Sequence, residues 1–250
     1  EMGVLLMDWL LTMAEERGEK PQDKVAVSTI VSSAMPDVLA RARGFEMRRV
    51  LTGFKYIGDQ IDQLKDAGEE DRFLMGFEES YGYLVGTHAR DKDAIVATML
   101  CVEMASWYAA RNMDLYEAMD ALYQRYGYYL NGVVNAAYPG AEGAAKMAQI
   151  MSGLRKNPLE MVGNYKVVGV TDYAECAEMP RVSGLQKEAP QTLPASNVIE
   201  YRLEGDNKVI FRPSGTEPKV KAYLFANGAT REEAEARIAE LSEAAQKVLS

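Results

Sequence analysis

Apolar strand-like runs and helical segments alternate along the first half of the chain. Strands are predicted at 25–31, 46–51 and 72–76, and helices at 2–14, 36–42, 54–64, 94–110 and 115–126. Neighbouring parallel strands need a long crossover connection, which is usually a helix, so this alternation favours parallel pairing. We therefore predict an α/β domain with a mixed, mainly parallel sheet and helices on both of its faces.

The pattern changes near Gly127. Beyond it, strands are predicted at 128–137, 165–172, 198–203, 208–211 and 219–225, and helices at 142–154 and from Thr230 onward. The segment 204–207 is typical of a hairpin turn, Thr230 with Glu233 forms a capping box, and the polar stretch 181–197 is predicted to be a loop. We therefore predict two domains, residues 1–127 and residues 128–250, the second a smaller α+β domain with a largely antiparallel sheet.

Composition argues against several classes of protein. The formal net charge of -9 disfavours a nucleic-acid or anionic-membrane surface, and no apolar run approaches the roughly 20 residues of a membrane span. His88 is the single histidine, and Cys101 and Cys176 lie far apart, so a metal centre has no good ligand set. We predict a cytoplasmic protein with reduced thiols, no nucleic-acid or membrane partner, and no metal bound by this chain alone.

The segment Gly76-Phe-Glu-Glu-Ser-Tyr-Gly82 directly follows a predicted strand, where an α/β sheet places its ligand loops. Carboxylates accept hydroxyl hydrogen bonds and glycine allows close backbone approach, so Glu78, Glu79 and Ser80 suit a sugar. A solvent-exposed acidic loop fits the pattern equally well. A glycosidase-like carboxylate pair fits less well, because adjacent residues rarely face one site together.

The segment Arg212-Pro-Ser-Gly-Thr-Glu-Pro-Lys219 connects two predicted strands. An arginine fork, two hydroxyls and successive backbone N–H groups are the donors that bind a phosphate, and Lys219 and Lys221 add positive charge. An ordinary proline- and glycine-containing turn is the alternative. The spacing differs from a Walker loop and no helix follows.

Two further loops carry weaker signals. Thr52-Gly53 lies between a predicted strand and helix, where a ligand loop and a helix cap are both plausible. In the segment 88–93, His-Ala-Arg-Asp-Lys-Asp, the alternative to a functional role is a charged loop with Asp93 as an N-cap.

In this order, TGFK at 52–55, GFEESYGYLVGTHARDKD at 76–93 and RPSGTEPKVKAYL at 212–224 resemble the α-D-phosphohexomutases, the phosphoglucomutases and phosphomannomutases. The resemblance covers essentially the whole chain and implies the third and fourth of the family's four domains. It implies interconversion of hexose 1-phosphate and hexose 6-phosphate through a phosphoserine and a bisphosphorylated sugar. The Glu-Glu-Ser form of the loop looks glucose-type, while phosphomannomutase and phosphopentomutase specificity stay open.

The resemblance also assigns roles to individual residues. Glu78 and Ser80 would bind sugar hydroxyls, Thr52 and Gly53 would help to read the sugar's orientation, and Lys92 would lie in the active-site cleft. The phosphate that is not transferred would be held by a set from the second domain: Arg212, Ser214, Gly215, Thr216 and a further basic residue, either Lys219 or Lys221.

Two family segments have no counterpart in this sequence. The family's catalytic serine lies in a Ser-His-Asn loop and its Mg²⁺ in an Asp-x-Asp-x-Asp loop, whereas Asp91-Lys92-Asp93 has only two aspartates. The resemblance therefore implies an inactive fragment that needs the N-terminal domains of the same polypeptide, with Mg²⁺ and glucose 1,6-bisphosphate expected only for the full-length enzyme. The alternatives are a stand-alone sugar-phosphate-binding module and a scaffold kept for assembly.

Overall fold

The computed structural model describes residues 1–140, 142–179, 191–215 and 217–250. The chain folds as two compact units, one containing Glu1–Tyr126 and the other Gly127–Ala177 with Thr192–Ser250. Most of the predicted loop at 181–197 lies outside the described residues, and so does Thr216.

The first unit is a four-stranded sheet covered by helices. Its strands are β1 Val25–Thr29, β2 Glu46–Val50, β3 Phe73–Phe77 and β4 Tyr83–Val85; its helices are α1 Met2–Glu16, α2 Met35–Arg43, α3 Phe54–Asp66, α4 Ala94–Ala109 and α5 Leu115–Tyr126. The strand order is β2-β1-β3-β4, with β1 parallel to β2 and β3, and β4 antiparallel to β3. The predicted mixed, mainly parallel sheet is confirmed.

Helices cover both faces of this sheet. A Cβ on Gly76 would lie 2.3 Å from Ile57 of α3, and the adjacent Phe77 lies so close to α1 that a Cβ on Gly3 would be 2.6 Å from its ring. Successive strand residues point to opposite faces, so α3 and α1 lie on opposite sides of β3. The three parallel strands are therefore buried throughout.

Buried charges stabilise the edge strand β2. The Glu46 carboxylate accepts a hydrogen bond from Arg48 Nε at 2.5 Å, and Arg49 donates to both carboxylate oxygens of Asp37 at 3.1 and 2.8 Å. Glu46, Arg48 and Arg49 of β2 thus each have a charged partner, as burial requires.

Most residues of helix α4 are apolar, and part of its apolar surface is exposed. Ile95, Met99 and Val102 are 83%, 54% and 61% exposed, and their spacing places them on one side of the helix. Among the described residues, no helix is long and apolar enough to cross a membrane.

The second unit is a six-stranded antiparallel sheet with two helices. Its strands are β5 Tyr128–Ala137, β6 Met161–Val162, β7 Tyr165–Asp172, β10 Ile199–Leu203, β11 Lys208–Pro213 and β12 Lys219–Gly228; its helices are α6 Gly143–Lys156 and α7 Arg231–Leu249. The order is β5-β12-β11-β10-β7-β6. Two short strands, β8 Ala177–Met179 and β9 Gln191–Leu193, form a separate two-stranded sheet. The predicted antiparallel α+β architecture is confirmed.

Alternation along the strands builds the core of this unit. Val220, Ala222 and Leu224 of β12 are buried in one hydrophobic cluster with residues of α6 and α7, such as Met151 and Leu241. The intervening residues of β12 point to the other face of the sheet.

The start of α7 confirms the capping box with one difference. Thr230 Oγ1 accepts a hydrogen bond from the Glu233 N–H at 3.2 Å, as expected. The Glu233 carboxylate accepts the Ala229 N–H at 3.0 Å, one residue before the N-cap. Both contacts satisfy N–H groups around the helix start.

Two glycines of α6 provide a matched test of packing. A Cβ on Gly143 would lie 1.9 Å from the Tyr138 carbonyl oxygen, whereas a Cβ on Gly153 meets nothing within 4 Å. We expect Gly143→Ala to lower the free energy of unfolding by about 1–3 kcal/mol, because the backbone must shift. Gly153→Ala should raise it by about 0.5–1 kcal/mol through helix propensity. Urea unfolding followed by circular dichroism measures the free energy of unfolding of both variants. Equal changes in the two variants would contradict the close approach of Gly143 to the Tyr138 carbonyl oxygen.

Candidate functional site

The carboxyl ends of β1 and β3 form a polar cluster at the point where the strand order reverses. From β1 the chain crosses to β2 on one side, and from β2 it crosses to β3 on the other. Sheets of this kind bind ligands at such a switch point. Here Ser28 Oγ donates to the Phe77 carbonyl oxygen at 2.8 Å, and Thr29 Oγ1 donates to Glu79 Oε2 at 3.1 Å and lies 2.9 Å from Ser32 Oγ.

Residues 78–82, called the 78–82 loop below, connect β3 to β4 as a hairpin. The Glu78 N–H donates to the Gly82 carbonyl oxygen at 2.8 Å and closes the loop. Strand β4 was not predicted, because its three residues are too few to show a strand periodicity. The loop is therefore held at both ends by the sheet.

The Glu78 side chain joins two of the predicted site segments. It is only 9% exposed, and its Oε1 accepts the Gly53 backbone N–H at 2.8 Å. Gly53 has φ +121°, a conformation that favours glycine. The Thr52-Gly53 turn therefore lies directly against the 78–82 loop.

Lys92 belongs to the same cluster. A Cβ on Gly82 would lie 2.9 Å from Lys92 Cδ, 3.3 Å from Glu78 Oε2 and 3.4 Å from the Phe54 ring. The Lys92 Nζ lies 5.3 Å from the centre of the Phe54 ring and donates to Asp91 Oδ1 at 2.9 Å. The absence of a side chain at Gly82 thus allows the lysine to approach the buried carboxylate.

Ser80 and Tyr81 form the exposed tip of the 78–82 loop. Ser80 is exposed, and Tyr81 is 87% exposed with φ +65°. The structure therefore brings Gly53, Glu78 and Lys92 together and leaves Ser80 beside them in solvent.

His88 and Asp93 organise the start of α4. Asp93 Oδ1 accepts the N–H groups of Ile95 and Val96 at 2.9 and 3.0 Å, which confirms it as an N-cap, and its Oδ2 lies 2.9 Å from His88 Nε2. The hydrogen bonds from His88 and from the Val96 backbone lower the pKa of the Asp93 carboxyl. These contacts give His88 a structural role in positioning the segment that carries Lys92.

In the second unit, Arg212 and Lys221 lie on one face of the sheet. They are directly opposite each other in the β11–β12 pair, and Lys221 is also opposite Asn135 of β5. Directly opposed residues have neighbouring side chains on the same face. The register thus places two cations side by side where β11 leaves the sheet.

The connection from β11 to β12 is tightly hydrogen-bonded. The Ser214 N–H donates to the Lys219 carbonyl oxygen at 2.8 Å, and the Glu217 N–H donates to Ser214 Oγ at 3.3 Å. Gly215 is exposed, and a Cβ added to it would meet no described atom within 4 Å beyond its chain neighbours. Thr216 lies outside the described residues, so its predicted phosphate contact stays a prediction.

The three cations near this connection differ in their partners. Lys219 forms an ion pair with Glu217, and the lysine's hydrogen bond lowers the pKa of the Glu217 carboxyl. Within the described ranges, the Arg212 side chain forms no hydrogen bond or ion pair, and the Lys221 side chain forms no ion pair. An incoming anion would therefore meet Arg212 and Lys221 without having to displace a carboxylate.

No described group of three or more histidine, cysteine, aspartate or glutamate side chains is arranged to hold a metal ion. In particular, Asp91 is engaged with Lys92 and Asp93 with the helix start.

Comparison with known proteins identifies the family. The family model for phosphoglucomutase/phosphomannomutase, alpha/beta/alpha domain III, matches residues 2–126. The chain belongs to the phosphoglucomutase/phosphomannomutase family. Similar relatives include the phosphoglucomutase of Staphylococcus haemolyticus, 32% identical over 227 residues, and that of Staphylococcus aureus strain MRSA252, 31% identical over 226 residues. These alignments cover 91% and 90% of this chain but only 40% and 39% of the relatives.

Solved phosphohexomutases share the fold at low sequence identity. The Paramecium phosphoglucomutase pp63/parafusin superposes with a TM-score of 0.61 at 18% identity, covering 90% of this chain and 37% of that one. A putative phosphomannomutase from Thermus thermophilus gives 0.58 at 17% identity, covering 98% and 40%. The chain thus spans about two fifths of the length of both its sequence relatives and these structures.

Sequence reasoning missed the contribution of β1 to this site. Ser28 and Thr29 end an otherwise apolar strand, and that switch to hydroxyl residues at a carboxyl end was the available signal.

Proposed function

We propose that this chain is the C-terminal part of a glucose-type phosphohexomutase and forms its third and fourth domains. The first unit binds the hydroxyls of the hexose through Glu78 and Ser80, with Thr52, Gly53 and Lys92 supporting them. The second unit binds the phosphate that is not transferred. Cytoplasmic location and dependence on N-terminal domains of the same polypeptide are parts of this proposal.

The observation that carries the proposal is the hydrogen bonding of the two Glu78 carboxylate oxygens. One oxygen is fixed by the Gly53 N–H, and the other has no hydrogen bond within the described residues and lies beside Gly82 and Lys92. A buried carboxylate normally satisfies its acceptors, so Oε2 is available to accept a ligand hydroxyl. Its nearness to the Lys92 stem suits a ligand that combines hydroxyls with negative charge.

Phosphate binding by the second unit is supported by local charge. A chain with net charge -9 repels anions in general, so a phosphate needs a local set of donors. Arg212 supplies a planar fork, and Lys221 on the same face adds a second charge. Because Lys219 is engaged by Glu217, we favour Lys221 as the further basic residue.

Phosphoryl transfer itself needs groups beyond these. The family uses a phosphoserine and Mg²⁺, and the described residues contain no ligand set that fits Mg²⁺. In this proposal the described residues bind and orient a hexose phosphate or glucose 1,6-bisphosphate, and other groups carry out the transfer. Phosphomannomutase and phosphopentomutase specificity are the alternatives within the same reaction.

The test is a coupled assay that follows glucose 6-phosphate formation from glucose 1-phosphate. We expect the isolated 250-residue chain to show no turnover, even with Mg²⁺ and glucose 1,6-bisphosphate, because no described residues supply the nucleophile or the metal site. The full-length enzyme should turn over in the same assay. Turnover by the pure chain above a heat-treated control would contradict this. A full-length gene without the serine and aspartate loops would favour a sugar-phosphate-binding module instead.

A further inference from the structure

Tyr81 has an unfavourable backbone conformation at an exposed position. Its φ is +65°, and its side chain is 87% exposed. A positive φ is uncommon outside glycine and is tolerated best by asparagine and aspartate. The other two non-glycine residues with positive φ in the described part of the chain are Asn112 and Asp206, which fit that preference. A tyrosine here therefore has a strained backbone conformation.

The hydrogen bond from the Glu78 N–H to the Gly82 carbonyl oxygen closes the loop around Tyr81, but within the described residues the tyrosine side chain does not help to hold this conformation. Tyr81 forms no hydrogen bond, ion pair or ring contact there. Its loop neighbours differ, since Glu78 is bonded to Gly53, Glu79 accepts a hydrogen bond from Thr29, and Gly82 leaves room for Lys92. Backbone strain of this kind concentrates at ligand-binding sites, where the surroundings hold the chain in place.

The chemistry of the neighbouring groups indicates what the ring could contact. A pyranose presents hydroxyls around its rim and C–H groups on its faces. Carboxylates and hydroxyls such as those of Glu78 and Ser80 can hydrogen-bond to the hydroxyls of the rim. An aromatic ring can pack against the C–H face, and it loses little conformational freedom on contact. Exposed aromatic side chains with a polar tip are also frequent anchors at binding surfaces.

We propose that Tyr81 is a specificity-determining residue whose ring packs on the C–H face of the bound hexose. This inference rests on the proposed function and extends it, because it assigns recognition of the pyranose ring itself to a residue outside the hydroxyl-binding set. It predicts that Tyr81 contributes to binding of the sugar and not of the phosphate.

The experiment is a kinetic comparison of substitutions in the full-length enzyme. Tyr81→Asn removes the ring and tolerates the positive φ, whereas Tyr81→Phe keeps the ring. We expect Tyr81→Asn to raise KM for glucose 1-phosphate about tenfold with kcat changed less than about threefold, and Tyr81→Phe to stay within about twofold of the original enzyme. The thermal midpoint of Tyr81→Asn should be unchanged or higher, since the strain is relieved.

The matched control is Tyr116→Asn, which removes a tyrosine that is 89% exposed on α5. It should leave KM unchanged. Inhibition by inorganic phosphate, which has no sugar ring, should be unaffected by Tyr81→Asn and weakened by Arg212→Ala.

The outcomes separate this inference from the proposed function. The inference is overturned if Tyr81→Asn leaves KM unchanged, as Tyr116→Asn is expected to do. It is also overturned if Tyr81→Phe raises KM as much as Tyr81→Asn does. If Arg212→Ala weakens inhibition by phosphate, the proposed binding of phosphate by Arg212 stands, whatever the result for Tyr81. If Glu78→Ala and Arg212→Ala both leave kinetics unchanged, the proposed function fails.

Discussion

Replacing Arg212 with alanine should lower kcat/KM of the full-length enzyme for hexose phosphates roughly 10- to 100-fold. A hydrogen bond to a charged group contributes about 1.5–3 kcal/mol, and about 1.4 kcal/mol corresponds to a factor of ten. The Arg212 side chain has no hydrogen bond or ion pair within the described residues, so its removal should cost little stability. The loss should therefore appear in steady-state kinetics and not in the thermal midpoint.

Two further variants sharpen this experiment. Arg212→Lys should recover only part of the activity, because lysine lacks the planar fork that matches a phosphate. Arg41→Ala makes the same change in net charge at an exposed position of α2 and should leave kcat/KM unchanged. If Arg212→Ala stays folded with unaltered kcat/KM, the phosphate-loop assignment is wrong.

Replacing Glu78 with alanine should reduce kcat/KM further, roughly 100- to 10,000-fold. The substitution removes the acceptor for a sugar hydroxyl and also the acceptor that holds the Gly53 N–H at 2.8 Å. Losing two charge-assisted hydrogen bonds gives a change of this order. Steady-state kinetics with glucose 1-phosphate measures it.

Glu78→Gln separates the two roles of this carboxylate. Its amide oxygen can still accept the Gly53 N–H, so the fold of the loop should be preserved, while the altered charge changes sugar recognition. We expect the ratio of kcat/KM for glucose 1-phosphate to that for mannose 1-phosphate to shift, since both substrates carry the same phosphate. Glu103→Ala, which removes an exposed carboxylate from α4, is the control and should have no effect. An unchanged ratio in Glu78→Gln, or an equal loss in Glu103→Ala, would count against direct sugar binding by Glu78.

Local patterns in the sequence were sufficient to predict most elements. The strand at Tyr128–Ala137 was predicted with its observed ends, because alternation and flanking turn residues are encoded locally. Strand β4 was missed because three residues carry too little periodicity.

The geometry of the site depended on information that a single sequence does not carry. The sequence left Lys219 and Lys221 equivalent, and only the β11–β12 register and the Glu217 ion pair distinguish them. The hydrogen bond from Thr29 to Glu79 joins residues 50 positions apart, and the positive φ of Tyr81 has no signature in residue type. Contacts of this kind arise from tertiary packing.

The packing of Gly53, Glu78, Gly82 and Lys92 has a consequence for protein engineering. These residues come from three separate stretches of chain, yet they contact one another through a backbone hydrogen bond and a site with no room for a Cβ. Suppose that residues 78–82 alone were replaced by those of a mutase of different specificity. The new loop would then have to fit the original Gly53 N–H and the original Lys92 side chain, to which it is not matched. Libraries that exchange all three stretches together should retain more folded and active variants, because coupled neighbours do not contribute additively.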